Sequence, residues 1–198
     1  MPTRPLPWWL TWLGASQPPP AAGMPWRRAA LPGLAGGCAG LLLLLAVLTQ
    51  VQFASTAPFT VGRDFGLAGS LARHGLEVEP VPGLGYDGQW YLARAFDPLL
   101  RDHDLSAHAD NPRYRAGRPL QGWLGWLLAG GRPGAVPVAL LAIGPLAVAL
   151  GCAATALVAS AFGRSRWWGL AFGMVPGVPV GVVFAPPSRS PSPWPPSA

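Results

Sequence analysis

Residues 29–53 read AALPGLAGGCAGLLLLLAVLTQVQF, without a charged side chain and with five consecutive leucines at Leu41 to Leu45. A bilayer core of ~30 Å is crossed by about 20 apolar residues in a helix, and residues 31–53 supply them. Arg27 and Arg28 stand just before this run. Basic residues stay on the cytoplasmic side of a span, so the N-terminus is expected inside. A cleaved signal peptide is the competing reading. The long segment before Arg27 and the absence of a small-x-small site after the leucines favour an uncleaved anchor.

A second charge-free window covers residues 133–163, between Arg132 and Arg164. Within it, residues 138–162 are the expected second span, with Pro145 as a tolerated kink. Arg164 and Arg166 then mark a cytoplasmic end. Residues 167–184 begin with Trp167 and Trp168, contain Pro176 and Pro179, and are expected to cross back outward. The predicted fold is all-α and multi-pass, with about three spans and a helical extracytoplasmic loop at 55–132.

Composition agrees with this reading. Of 198 residues, 51% are hydrophobic and 11% charged, against about 25% charged in an average soluble domain. That balance argues against an ordinary soluble enzyme and against disorder, which needs low hydrophobicity and high charge. The chain has 26 Gly and 25 Pro residues, and the prolines are prominent at both ends. Residues 1–28 read as a cytoplasmic Pro/Trp/Arg tail, and residues 185–198 as a disordered Pro/Ser tail. All 14 basic residues are arginines. They are scattered between apolar stretches rather than clustered on one face, so nucleic acid is not an expected partner. Cys38 and Cys152 fall in apolar segments and indicate neither a disulfide framework nor a metal site.

All eight acids lie between Asp64 and Asp110, as do His74, His103 and His108. From Arg63 to Arg118 seven arginines nearly balance them. The chain is thus a polar island between apolar flanks that carry arginine and no acid. Within the island, residues 61–75 read as a short helix with Arg63, Asp64, Arg73 and His74 on a polar face. Residues 80–89 are rich in turn-forming Pro and Gly. Residues 89–96 read as a helix stopped by Asp97 and Pro98. Leu120, Trp123, Leu124, Leu127 and Leu128 recur at helical spacing. This helix, expected at 119–130, is too short to span and is placed at the membrane surface.

Two groups of residues carry chemistry. Gly85-Tyr86-Asp87-Gly88-Gln89-Trp90-Tyr91 sets a carboxylate on a Gly-flanked turn that opens a helix. Such a group can take a proton from an attacking hydroxyl. Equally, Asp87 can simply cap the helix that follows. Arg113, Arg115 and Arg118, just before the surface helix, can grip a phosphate in bidentate fashion or anchor the chain to anionic lipid. His103 and His108 with Asp102, Asp104 and Asp110 lack a recognised metal-ligand spacing and read as a solvated loop.

The Gly-Tyr-Asp-Gly-Gln-Trp-Tyr stretch, together with Tyr114-Arg115-Ala116-Gly117-Arg118-Pro119-Leu120 before a Trp/Leu helix, resembles a family of bacterial polytopic membrane proteins. That family is assigned to cell-surface glycopolymer formation and is similar to the GT-C class of glycosyltransferases. Residues 163–170, Gly-Arg-Ser-Arg-Trp-Trp-Gly-Leu, resemble an inner loop of the same family. The resemblance covers roughly residues 41–177. It implies transfer of a sugar from a polyprenyl-phosphate carrier to a glycan acceptor at the outer face of the membrane. It implies Asp87 as the catalytic base, and Tyr86, Gln89, Tyr91, Arg115 and Arg118 as substrate-binding residues. No cofactor is called for beyond a divalent metal, which the residues leave open. Members of the family are longer, with more spans. The tail from Ala185 has no apolar period, and Ser, Pro and Trp codons can be read in another frame as Leu, Val, Met, Ala, Pro or Glu, so that an apolar continuation is a testable hypothesis. A transferase truncated by a frameshift is therefore expected.

Other functions stay open on the residues alone. A small membrane scaffold or assembly subunit, whose outside loop binds a partner, needs none of this chemistry. A transporter fragment is disfavoured, because no acid or His lies in an expected span, where coupling residues belong.

Overall fold

The structure is a computed structural model and describes residues 25–99, 101–108, 111, 114 and 117–178. Most of the N-terminal tail, Arg113, Arg115, Asp110 and residues 179–198 lie outside the described residues. Among those described, the chain is all-helical and has no strand. Helices α1 (Pro25–Gln50), α2 (Leu67–Arg73), α3 (Gly88–Phe96), α4 (His103–Ser106), α5 (Pro119–Ala129), α6 (Val136–Ala161) and α7 (Leu170–Gly173) follow in order. Short 3-10 turns stand at Ala57–Phe59, Pro133–Ala135 and Arg166–Gly169.

Two helices are long and apolar enough to cross a membrane, over residues 29–50 and 133–161. They match the first two expected spans within a few residues. The third expected span is not a continuous helix over the residues described. Residues 166–178 form the 3-10 turn, the four-residue α7 and a turn at Met174 to Pro176. Gly169, Gly173 and Pro176 interrupt the helix there.

The chain divides into two compact units. The first, residues 25–46 with 139–178, is built on antiparallel contact between α1 and α6. Its contact residues are glycines. A Cβ at Gly36 would lie 2.5 Å from Cys152 Sγ, one at Gly37 2.9 Å from Ala149 Cβ, and one at Gly40 3.2 Å from Pro145 Cα. At Gly33 it would lie 3.1 Å from both Ala149 O and Ala153 Cβ. Gly33 and Gly37, and Gly36 and Gly40, are two overlapping pairs at four-residue spacing, which lets helix backbones approach closely where lipid supplies no hydrophobic drive. Leu34, Leu41, Leu42, Leu146, Leu150 and Val158 are exposed, whereas Leu44, Leu140, Leu141 and Val148 are buried. Cys152 is fully buried in the contact, whereas Cys38 is exposed, and both are free thiols.

The second unit, residues 47–138, carries the polar island. Its core is Phe59, Val61, Leu67, Leu71, Leu76, Trp90, Leu92, Ala95 and Leu105, with Phe65 edge-on to Trp90 at 5.2 Å between ring centroids. The helix expected over 61–75 is shorter. Val61 and Gly62 are extended and bridge to Gly85 and Val81, and α2 begins only after Gly66, which adopts a left-handed φ of 68°. Helix α5 ends at Ala129, one residue before the expected boundary, and its C-cap Gly130 is also left-handed at φ 58°.

Overpacking the glycine contact should be costly. Gly36→Leu is expected to destabilise the detergent-solubilised protein by about 1–3 kcal/mol. Ala39→Leu, on the exposed side of α1, should change it by less than about 0.5 kcal/mol. Thermal unfolding followed by circular dichroism reads both. Equal effects would contradict the contact.

Candidate functional site

The turn that carries Asp87 is held from below by one buried amide. Gln89 is 1% exposed. Its Oε1 accepts from Gly62 N at 3.1 Å, and its Nε2 donates to Leu84 O at 2.8 Å. The two segments it joins touch backbone to backbone: Tyr86 N donates to Thr60 O at 3.0 Å, and Val81 N to Val61 O at 2.9 Å. A Cβ on Gly85, itself at φ 73°, would lie 2.8 Å from Gly62 Cα. Only glycine fits that crossing. Gln89 is therefore placed as a brace behind the turn, with both ends of its amide committed, rather than at the surface where a substrate would meet it.

Asp87 occupies the N-cap position of α3, yet its side chain makes no capping hydrogen bond. The simpler reading of this residue as a helix cap does not describe its geometry. Its carboxylate instead contributes to the electrostatics of Arg118. Arg118, just before α5, is held more firmly protonated than usual. A hydrogen bond with Tyr91 is the largest cause, and charge interactions with Tyr114, Tyr91 and Asp87 add to it. The guanidinium lies over the Tyr114 ring, 4.6 Å from its centroid, and donates to the Tyr114 hydroxyl. Thus Tyr91 and Tyr114 contact Arg118, and the charge of Asp87, 31 residues away in sequence, adds the smallest of these influences on it. Tyr86 is 54% exposed beside them. Arg115 lies outside the described residues. A fixed guanidinium flanked by phenols, with a carboxylate nearby, can hold an anionic oxygen beside a general base.

Helices α3 and α5 bring this group together by close packing. A Cβ on Gly122 would lie 2.8 Å from Arg94 Cβ and 3.0 Å from its carbonyl carbon. Trp123 Nε1 donates to Pro98 O at 2.6 Å. Arg94 is held between them with Nε and Nη1 buried and without a hydrogen-bond partner. Burial lowers its pKa, and the charge of Asp97 opposes that. Asp97, 8% exposed, accepts from Arg101 N at 2.9 Å and Asp102 N at 2.8 Å, which explains the stop after α3 better than Pro98 alone.

A separate clasp joins α2 to α4. His74 Nδ1 lies 2.8 Å from Ser70 O, and Nε2 lies 2.6 Å from Asp102 Oδ2. Both partners are acceptors, so only the imidazolium satisfies both contacts. The His74 pKa is raised, chiefly by the Ser70 carbonyl, against the opposing cost of burial, with Asp102 and Asp104 adding to the rise. Asp102 is lowered, first by His74. Beside it Arg73 grips Asp104 through Nη2 at 2.5 Å and Nε at 3.1 Å. Ser70, His74 and Asp102 are the residue types of a hydrolytic triad, but the imidazole meets the Ser70 carbonyl. The buried hydroxyl donates to Asp104 O at 3.4 Å and accepts from Arg73 at 3.0 Å. Among the described residues no three His, Cys, Asp or Glu side chains are grouped to hold a metal.

Set against known protein families, curated proteins and solved structures, the chain matches none.

Gln89→Ala should cost the second unit about 1–3 kcal/mol, because it strands a buried N–H and C=O. Amide exchange at Gly62 should accelerate, and unchanged protection there would contradict the brace. The clasp has a definite pH window. The raised His74 pKa gives stability that is fully present below about 6.5, the ordinary value, and is lost as pH rises through the folded value. The lowered Asp102 pKa gives stability present above about 3.9 and lost as pH falls through its folded value. Exchange protection of residues 102–106, corrected for the intrinsic rate, should therefore fall on going from pH 5.5 toward 8.5 (values set by these ordinary pKa values, roughly). A flat profile would contradict an imidazolium at His74.

Proposed function

We propose that the chain is the membrane-embedded N-terminal part of a GT-C-like glycosyltransferase. It would transfer a sugar from a polyprenyl-phosphate carrier to a cell-surface glycan at the outer face of the membrane. The observation that supports this reading is Arg118 held against Tyr91 and Tyr114, with the charge of Asp87 also acting on it. Asp87 is the base that takes the proton from the acceptor hydroxyl. Arg118, steadied by Tyr91 and Tyr114, holds the carrier phosphate by charge-assisted hydrogen bonds. Tyr86 contacts the sugar or the acceptor, and Arg115 adds a second cation. Gln89 acts through the turn it braces.

The topology that serves this function is multi-pass. The N-terminus and residues 163–166 face the cytoplasm, and residues 55–132 face outward. A third crossing over 167–184 belongs to the same scheme, although the described part of it consists of short helical pieces. The partners are membrane lipid, the polyprenyl-phosphate sugar and the glycan acceptor.

The test uses the full chain in nanodiscs with a labelled polyprenyl-phosphate sugar. Asp87→Asn should lower transfer by about 10²–10⁴-fold, the range of one general base, while carrier binding persists. Arg118→Ala should weaken carrier binding. Unchanged transfer in Asp87→Asn removes it as the base. A wild-type chain that neither binds carrier nor transfers sugar contradicts the whole reading.

A further inference from the structure

Helix α5 packs with the wrong side inward for a helix in water. The residues it buries are Gly122, Gly125 and Ala129. Those it leaves exposed are Leu120, Trp123, Trp126, Leu127 and Leu128, at 44–69%. Burying a Leu side chain is worth about 1.5–3 kcal/mol in water, so a helix folding in water would turn the other way. In α1 glycines likewise make the closest contacts with α6 while Leu34, Leu41 and Leu42 are exposed, although Leu44 of α1 and Leu140 and Leu141 of α6 are buried.

Three further observations say what covers this face. Residues 119–131 carry no charge, while Arg118 and Arg132 stand at either end. Arginines so placed can extend toward headgroups as the helix between them sinks. The Trp123 indole N–H is already bonded to Pro98 O, so its ring can enter an apolar phase without an unpaired donor. Only residues 130–135 separate α5 from α6. With 11 residues, α5 is about 16 Å long at 1.5 Å per residue, about half of what a crossing needs. It must lie along a surface.

We infer that the outer face of α5 is a lipid-binding surface, with the helix lying in the plane of the bilayer interface. Leu120 and Leu127 point to the acyl chains, and Arg118 and Arg132 sit at headgroup level. This inference needs neither an enzymatic activity nor a carrier lipid, so it stands or falls apart from the transferase reading.

Spin labels at Leu120→Cys and Leu127→Cys, with Leu84→Cys as the solvent-facing reference, test it in the full chain reconstituted into phospholipid vesicles. Oxygen partitions into lipid, and a nickel chelate stays in water. At positions 120 and 127 the oxygen-to-nickel relaxation ratio should be severalfold higher than at 84. A ratio equal to that at 84 puts the face in water and overturns the inference. Exclusion of both reagents means that protein covers it, and overturns the inference as well. A label-free arm uses brominated lipid, which should quench wild-type tryptophan emission more than that of the Trp123→Phe, Trp126→Phe double variant. Equal quenching counts against the inference.

Discussion

Close backbone approach at glycine is the constraint on which this structure depends. It appears at Gly33, Gly36, Gly37 and Gly40 between α1 and α6, at Gly122 between α3 and α5, and at Gly62 and Gly85 under the Asp87 turn. In water, large apolar side chains drive packing and fill the interior. Here the closest contacts of α1 and the buried positions of α5 are made by the smallest residues, and many leucines of the long helices and the tryptophans of α5 are turned outward, although Leu44, Leu140 and Leu141 are buried. That arrangement is stable where the surrounding solvent is itself apolar, because outward leucines then cost nothing and close backbones gain dispersion and packing.

The polar island obeys a different rule. Its turn must hold backbone groups in place without a strand ladder, since only isolated bridges join the two segments. Buried side chains take over. Gln89 joins Gly62 to Leu84, and Asp97 gathers two amides of the following loop. Buried donors and acceptors left unpaired are expensive, so these two residues fix the path that delivers Asp87 to Tyr91 and Arg118. Arg94, with two buried nitrogens lacking a partner, and the buried Thr60 hydroxyl are exceptions among the described residues.

Much of the fold was legible because it is written locally. Charge-free length marks residues 29–50 and 133–161, turn chemistry marks Asp87, and the stop at Asp97 marks the end of α3. The helical spacing of Leu120, Trp123, Leu124, Leu127 and Leu128 revealed α5 and suggested a place at the membrane surface, but not the glycine face, Gly122 and Gly125, by which it packs. The grouping of Asp87 with Arg118 was suggested by resemblance alone, as nothing local connects residues that far apart. Gln89 was placed among substrate contacts by the resemblance of the 85–91 motif alone. Its partner Gly62 is 27 residues away, and that distance is invisible to any pattern. The same holds for His74 and Asp102, 28 residues apart, where a polar loop was expected and a clasp is found.

The most direct measurement asks on which side of the membrane the Asp87 turn lies. A Leu84→Cys variant in intact cells should react with a membrane-impermeant maleimide, because Leu84 is 62% exposed and the proposed topology puts its unit outside. A Gly163→Cys variant should react only after the membrane is permeabilised. The opposite pattern, or equal reaction of both in intact cells, would contradict a membrane protein that presents this site to the outside.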